Sequence, residues 1–240
     1  MIISLLLFIP ETVFALLFIK AGWPESTKKG FFFKMCASAI FVLNGFIGYN
    51  FNISAYGKTV LFALIAGFIG DIFLTMDPFL TTEKAKKLSM VFIVTGGIAF
   101  LTGHILYFAA YIGKLETFTA QRVKILVSGI LILLILAVAV KFILKLSFGK
   151  LTAPILLYTL VISSLFSLGL CLAFTVLTGK PAAQITICIA PLLFIISDSS
   201  LVMKFFEKER FNTLSVRAVN LGTYFAAQML FGLSIFLING

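Results

Sequence analysis

The chain has 240 residues, of which 61% are hydrophobic and 12% charged, with a formal net charge of +10. That composition excludes an ordinary soluble domain. A helix crosses a bilayer with about 20 apolar residues, and windows of that kind fall at about 2–19, 31–49, 59–76, 90–112, 123–144, 153–177, 183–203 and 218–237. The linkers are short and leave no room for a separate soluble domain. The expectation is an all-α, polytopic transmembrane helix bundle of about eight spans, forming a single integral membrane domain over 1–240.

The first window has no basic segment before it and no small-x-small cleavage site after it, so it is expected to be retained as a span. Fourteen of the nineteen Lys and Arg lie in or beside the odd-numbered loops and five beside the even-numbered ones. The positive-inside rule then puts the odd loops in the cytoplasm and both termini on the non-cytoplasmic side. Basic residues so placed are topology signals and contacts for anionic membrane lipids, not a nucleic-acid footprint. The membrane itself is named only generically, as a plasma or cell inner membrane or an internal one. Cys36, Cys171 and Cys188 all fall within predicted spans, lack metal-ligand spacing and read as apolar packing residues.

In chain order, span one carries Pro10, which removes a backbone donor and predicts a kink, and Glu11, which a frayed N-terminal segment would bring close to water. Span two opens with Lys34, set to snorkel toward headgroups, and places Asn44 and Gly48 on one face suited to close helix contact. Span three puts Gly67, Asp71 and Thr75 on one stripe, with Gly70 adjacent, so that another backbone can approach. Asp71 lies about five residues from the cytoplasmic end, roughly 7–8 Å deep at 1.5 Å per residue. The segment after it, residues 77–87, reads as turn-forming and then basic. Span four holds the single histidine, with His104, Tyr107 and Tyr111 on one face. His104 is either a hydrogen-bonding residue between helices or a group that orients substrate.

Span five is almost without polar residues and reads as a lipid-facing wall. Span six carries Pro154, Tyr158 and several serines, with no nucleophile elbow to make one of them reactive. Span seven has Pro191 one to two turns before Ser197 and Asp198, with Lys204 six residues further on. Span eight places Asn220, Tyr224 and Gln228 in a polar stripe. Carboxylates in the hydrocarbon cost roughly 2.5–3.5 kcal/mol each on insertion scales, so Asp71 and Asp198, at matched depths, are the leading functional candidates. A short internal repeat points the same way. The pattern Asp-x-x-Leu begins at Asp71 and at Asp198, and Tyr-Phe-Ala-Ala follows in the next span at Tyr107 and at Tyr224. Four spans apart, the halves would be parallel repeats about an axis along the membrane normal.

Together these residues resemble the YhhN-like lysoplasmalogenase family of eight-span membrane proteins. The matching elements are Phe33-Lys34, Gly70-Asp71-x-x-Leu74, Phe100-Leu101-x-x-His104-x-x-Tyr107, Pro154-x-x-x-Tyr158, Phe194-x-x-Ser197-Asp198-x-x-Leu201 and Tyr224-x-x-Ala227-Gln228, in order from span two onward. Met35 stands where the family usually has Pro, Ala190-Pro191 where it has Gly-Ala, and Glu11 matches nothing in it. The resemblance implies hydrolysis of the vinyl ether bond of lysoplasmalogens, giving a fatty aldehyde and glycerophosphocholine or glycerophosphoethanolamine, with no cofactor.

The residues suit that chemistry on their own grounds. Vinyl ether hydrolysis begins with proton transfer to carbon and yields an oxocarbenium-like cation that water captures. Burial favours the protonated form that an acid needs at neutral pH, and a second, ionised carboxylate stabilises the cation. Asp71 and Asp198 are expected to divide these roles, with the acid unassigned between them. His104, Tyr107, Tyr224, Gln228 and Ser197 would orient water and substrate, and Lys34 or Lys204 would anchor the phosphate. Three other readings remain: aspartates that only bond across helices, a metal-dependent hydrolase using Asp71, His104 and Asp198, and a proton-coupled transporter or channel for a lipid or small solute.

Overall fold

A computed structural model of the chain describes residues 1–21, 23, 27–76, 79 and 83–238. The backbone is helical almost throughout: α1 (Ile2–Ala21), α2 (Lys28–Phe51), α3 (Ala55–Leu74), α4 (Glu83–Ile112), α5 (Ala120–Ile143), α6 (Thr152–Thr175), α7 (Pro181–Phe206), the single turn α8 (Lys208–Phe211) and α9 (Leu214–Leu237). All but α8 are long and apolar enough to cross a membrane, the build of a multi-pass membrane protein.

Local chemistry sets where these helices start. The hydroxyls of Thr27, Ser54, Thr119 and Thr213 each accept an amide from the first turn that follows, at the heads of α2, α3, α5 and α9. Pro181 opens α7 at the position where its missing N–H costs nothing. Both α1 and α7 continue as helix through Pro10 and Pro191. Of the segment expected to be a loop, 77, 78 and 80–82 lie outside the described residues, whereas 83–87 form the first turn of α4. Glu11 is buried against the bundle instead of approaching water.

The helices follow the same neighbour pattern twice. In the first half α1 packs on α2, α2 on α3, and α3 along α4; in the second α5 packs on α6, α6 on α7, and α7 along α9. The halves join where α2 meets α9 and α4 meets α6. The short Asp-x-x-Leu and Tyr-Phe-Ala-Ala repeat falls on corresponding helices of the two halves, α3 with α7 and α4 with α9. The halves differ at their outer helices: α1 also leans on α9, while α5 buries none of its residues. The most buried span is α9, which packs against α1, α2, α3 and α7.

Lipid tails are as apolar as leucine, so close backbone packing and interhelical hydrogen bonds have to hold such helices together. The Asn44 amide donates to the Met229 carbonyl at 3.0 Å, and Gly48 lies against Gly232 and Ile235 across the same α2–α9 seam. Gly169 of α6 faces the backbone of α7, where an added Cβ would lie 2.5 Å from the Ile187 carbonyl oxygen. Gly97 of α4 has nothing within 4 Å of its Cβ position. Gly169→Ala is therefore expected to destabilise the detergent-purified chain by about 1–3 kcal/mol, and Gly97→Ala to leave it unchanged or slightly firmer. Thermal unfolding of the two variants checks this.

Candidate functional site

Asp71 ends the inward stripe of α3 and is 1% exposed. Its Oδ1 lies 2.9 Å from the Lys34 ammonium. Its Oδ2 accepts the Ser38 hydroxyl at 2.6 Å and the Tyr224 hydroxyl at 2.7 Å. Lys34 and Ser38 are one turn apart on α2, so a single helix face supplies both. A buried charge is tolerable only when paired and fully hydrogen-bonded, and these three donors meet that condition. Lys34 does not snorkel: its side chain turns inward, over the Phe18 ring, with the ammonium 5.6 Å from the ring centre.

A directed chain of hydrogen bonds runs on from Tyr224. The Gln228 amide nitrogen donates to the Tyr224 hydroxyl at 3.1 Å, and the Tyr107 hydroxyl donates to the Gln228 carbonyl at 2.6 Å. Donors thus point from α4 through α9 toward the Asp71 carboxylate, an order in which each bond polarises the next. Room for Gln228 comes from Gly67, since a Cβ there would collide with the Gln228 amide. Gly70 makes room for the Phe100 ring in the same way. The inward glycines of α3 admit these side chains and also the expected backbone, that of α4: a Cβ at Gly96 would lie 3.3 Å from the Gly70 carbonyl oxygen and one at Gly103 would lie 3.9 Å from the Gly67 nitrogen.

Asp198 forms a second group with different partners. Its Oδ2 accepts the Tyr158 hydroxyl at 2.9 Å and stands 3.6 Å from His104 Nε2. His104 Nδ1 is 2.7 Å from the Phe100 carbonyl, which can only accept, so Nδ1 carries a hydrogen. In the neutral ring Nε2 is then a lone pair aimed at Asp198, and Nε2 has no hydrogen-bond partner inside 3.5 Å. A bare carboxylate facing a bare nitrogen would repel it. The two side chains attract each other only when the pair carries a proton. Asp198 is also the more accessible acid, its side chain 20% exposed against 1% for Asp71.

One aromatic layer separates the groups. The Phe194 ring lies 4.8 Å from His104 and 5.9 Å from Tyr224, centre to centre, and touches Tyr107 and Phe231 as well. The ring thus touches a partner of each acid, His104 on one side and Tyr224 on the other. Two hollows of the surface, about 370 Å³ beside Tyr56 and Lys114 and about 400 Å³ on α5, reach neither carboxylate.

The remaining candidates lie apart. Ser197 accepts from Asn220, whose amide reaches its hydroxyl at 3.0 Å and its carbonyl at 2.8 Å, so it ties α7 to α9 and faces neither carboxylate. Lys204 stands near the end of α7, partly exposed. Among the described residues no three metal-ligating side chains converge; Asp71 faces Lys34 while His104 and Asp198 face each other. Ser38, Tyr158 and Phe194 were not among the expected site residues, although Lys34-x-x-x-Ser38 is a one-turn polar spacing on an otherwise apolar helix.

The model of the YhhN family matches residues 30–235. No curated protein and no solved structure matches the chain. Removing one partner of the buried ion pair is expected to be far worse than removing both. Lys34→Met should cost about 3–5 kcal/mol, and Lys34→Met combined with Asp71→Leu should recover most of it. Thermal unfolding of the single and double variants in detergent checks this.

Proposed function

The chain belongs to the YhhN family, and we propose that it is a membrane hydrolase that cleaves the vinyl ether bond of lysoplasmalogens. The products are a fatty aldehyde and glycerophosphocholine or glycerophosphoethanolamine. The observation that carries the reading is the contrast between its two intramembrane acids: Asp71 is saturated by a lysine and two hydroxyls, while Asp198 accepts one tyrosine hydroxyl and stands 3.6 Å from His104 Nε2. In this reading Asp71 serves as the stabilising anion and Asp198 as the acid.

In the proposed reaction Asp198 delivers its proton to the β-carbon of the vinyl ether. The π electrons form the new C–H bond, and the adjacent ether carbon becomes an oxocarbenium ion. The Asp71 carboxylate, held by Lys34, stabilises that cation through a low-dielectric interior. Water adds to the cationic carbon, and its released proton returns to Asp198, with His104 Nε2 as the accepting site beside it. The resulting hemiacetal breaks its C–O bond to the glycerol and leaves aldehyde and alcohol. Tyr107, Gln228 and Tyr224 orient the water. Ser197 keeps α7 and α9 in register. Lys204 lies where the headgroup would pass, whereas Lys34 is engaged with Asp71 and is not assigned to the phosphate. The alkenyl chain would part the Phe194 layer to reach the acids.

The parallel repeat also fits a proton-coupled transporter, and a single assay separates the two. Purified protein in detergent is expected to release aldehyde from 1-alkenyl lysophospholipid. A transporter, which acts only across a sealed membrane, would release none. Folded Asp71→Asn and Asp198→Asn variants should each lose at least about 100-fold in kcat, and His104→Gln about tenfold. Near-normal turnover in either Asn variant would remove the assignment of the acids.

A further inference from the structure

Arg217, in the first turn of α9, is a buried cation that the proposed reaction does not use. It is 9% exposed. Its Nε donates to the Ile19 carbonyl at 3.2 Å and its Nη2 to the Phe18 carbonyl at 3.4 Å, closing off the C-terminal turn of α1. The guanidinium also lies over the Phe18 ring, 4.7 Å from its centre. Lys34 uses the same ring. Among the described residues, Asp71 is the carboxylate paired at this place, and it pairs with Lys34. Two cations thus share one aromatic ring and one anion. A buried charge without a counter-ion is costly, and backbone carbonyls offset only part of the guanidinium's lost hydration.

We propose that Arg217 is the phosphate-binding residue for a lysophospholipid headgroup. This rests on the hydrolase reading for its substrate class, while its evidence is the charge balance around Phe18. Among the described residues, Lys34, Arg217 and Asp71 leave an excess of one positive charge around Phe18, and a phosphodiester carries one negative charge. Guanidinium recognises phosphate oxygens through paired N–H donors. Depth agrees as well. The Asn220–Ser197 contact fixes the register of α9 on α7. Arg217 is three residues before Asn220, hence about 4.5 Å nearer the odd-numbered loops than Ser197 and about 3 Å nearer than Asp198. The glycerol backbone of a lysophospholipid sets its phosphate above its vinyl ether in the same sense. Arg217 shares the Phe18 ring with Lys34, so the bound headgroup would lie nearer Asp71 than Asp198.

The test measures binding with ligands that cannot react. The purified full chain in detergent is titrated with a saturated 1-alkyl lysophosphocholine, with the matching 1-alkylglycerol that lacks phosphate, and with inorganic phosphate. The wild type is expected to bind the phospholipid at least about tenfold more tightly than the alkylglycerol. Arg217→Gln should erase that preference while leaving alkylglycerol affinity unchanged, and Arg217→Lys should keep part of it. Equal loss for both ligands would mark a purely structural role in holding α1, and would overturn the proposal. So would an unchanged preference in Arg217→Gln, or its loss in Lys204→Gln instead. Should Arg217→Gln fail to fold, Arg217→Lys decides: a preference identical to wild type overturns the site. Tight binding of inorganic phosphate alone would identify a free-anion site and likewise overturn the headgroup assignment. Because no ligand here contains a vinyl ether, failure to release aldehyde from lysoplasmalogen would remove the hydrolase reading without touching this result.

Discussion

The buried pair of Lys34 and Asp71 is the constraint on which the rest of the bundle turns. Both charges lie in a low-dielectric interior, where each ion loses several kcal/mol of hydration. The pair persists because the geometry answers that loss: a 2.9 Å ion contact, two short hydroxyl donors on the remaining oxygen, and a ring beneath the ammonium. To make those contacts α2, α3 and α9 must hold one register. That register in turn sets Tyr224, Gln228 and Tyr107 in their ordered chain.

The same constraint separates the two halves of a duplicated architecture. Each half places an aspartate on its third helix, a partner from the preceding helix and another from the opposite half. For Asp71 these are Lys34 and Tyr224; for Asp198 they are Tyr158 and His104. A lysine in one half and a tyrosine in the other is the decisive difference. The lysine gives Asp71 a direct counter-charge, while the tyrosine gives Asp198 a neutral donor and leaves it facing an imidazole. Two acids of common design thereby sit in different surroundings, and the proposed division into acid and stabilising anion rests on that contrast.

Much of this was legible from the residues. Long apolar windows located eight helices, and the carboxylates within them marked the site because nothing structural in lipid demands a carboxylate. The stripes through Asp71, through His104 and Tyr107, and through Tyr224 and Gln228 follow from helical periodicity alone. What periodicity does not contain is which stripe meets which. Lys34 near a helix end looks like a snorkelling residue until α3 brings Asp71 beside it. Ser197, adjacent to an acid in sequence, points one helix face away and bonds Asn220. Gly67 and Gly70 receive the α4 backbone, as their stripe implied, and beside it Gln228 and Phe100, which no stripe on α3 could announce. Arg217 read as a topology signal because its position near a span end fits that role, and only the contact of α9 with α1 reveals its burial over Phe18. In each case the missing information is interhelical, and a single-helix pattern cannot carry it.

The central claim is that an aspartate protonates carbon and water then captures the cation. It is tested most directly by running the purified protein with 1-alkenyl lysophospholipid in deuterium oxide and examining the released aldehyde. The account expects one deuterium at the carbon next to the carbonyl, together with a turnover slower than in ordinary water. Aldehyde formed at full rate without deuterium at that carbon, or no aldehyde at all, would contradict it.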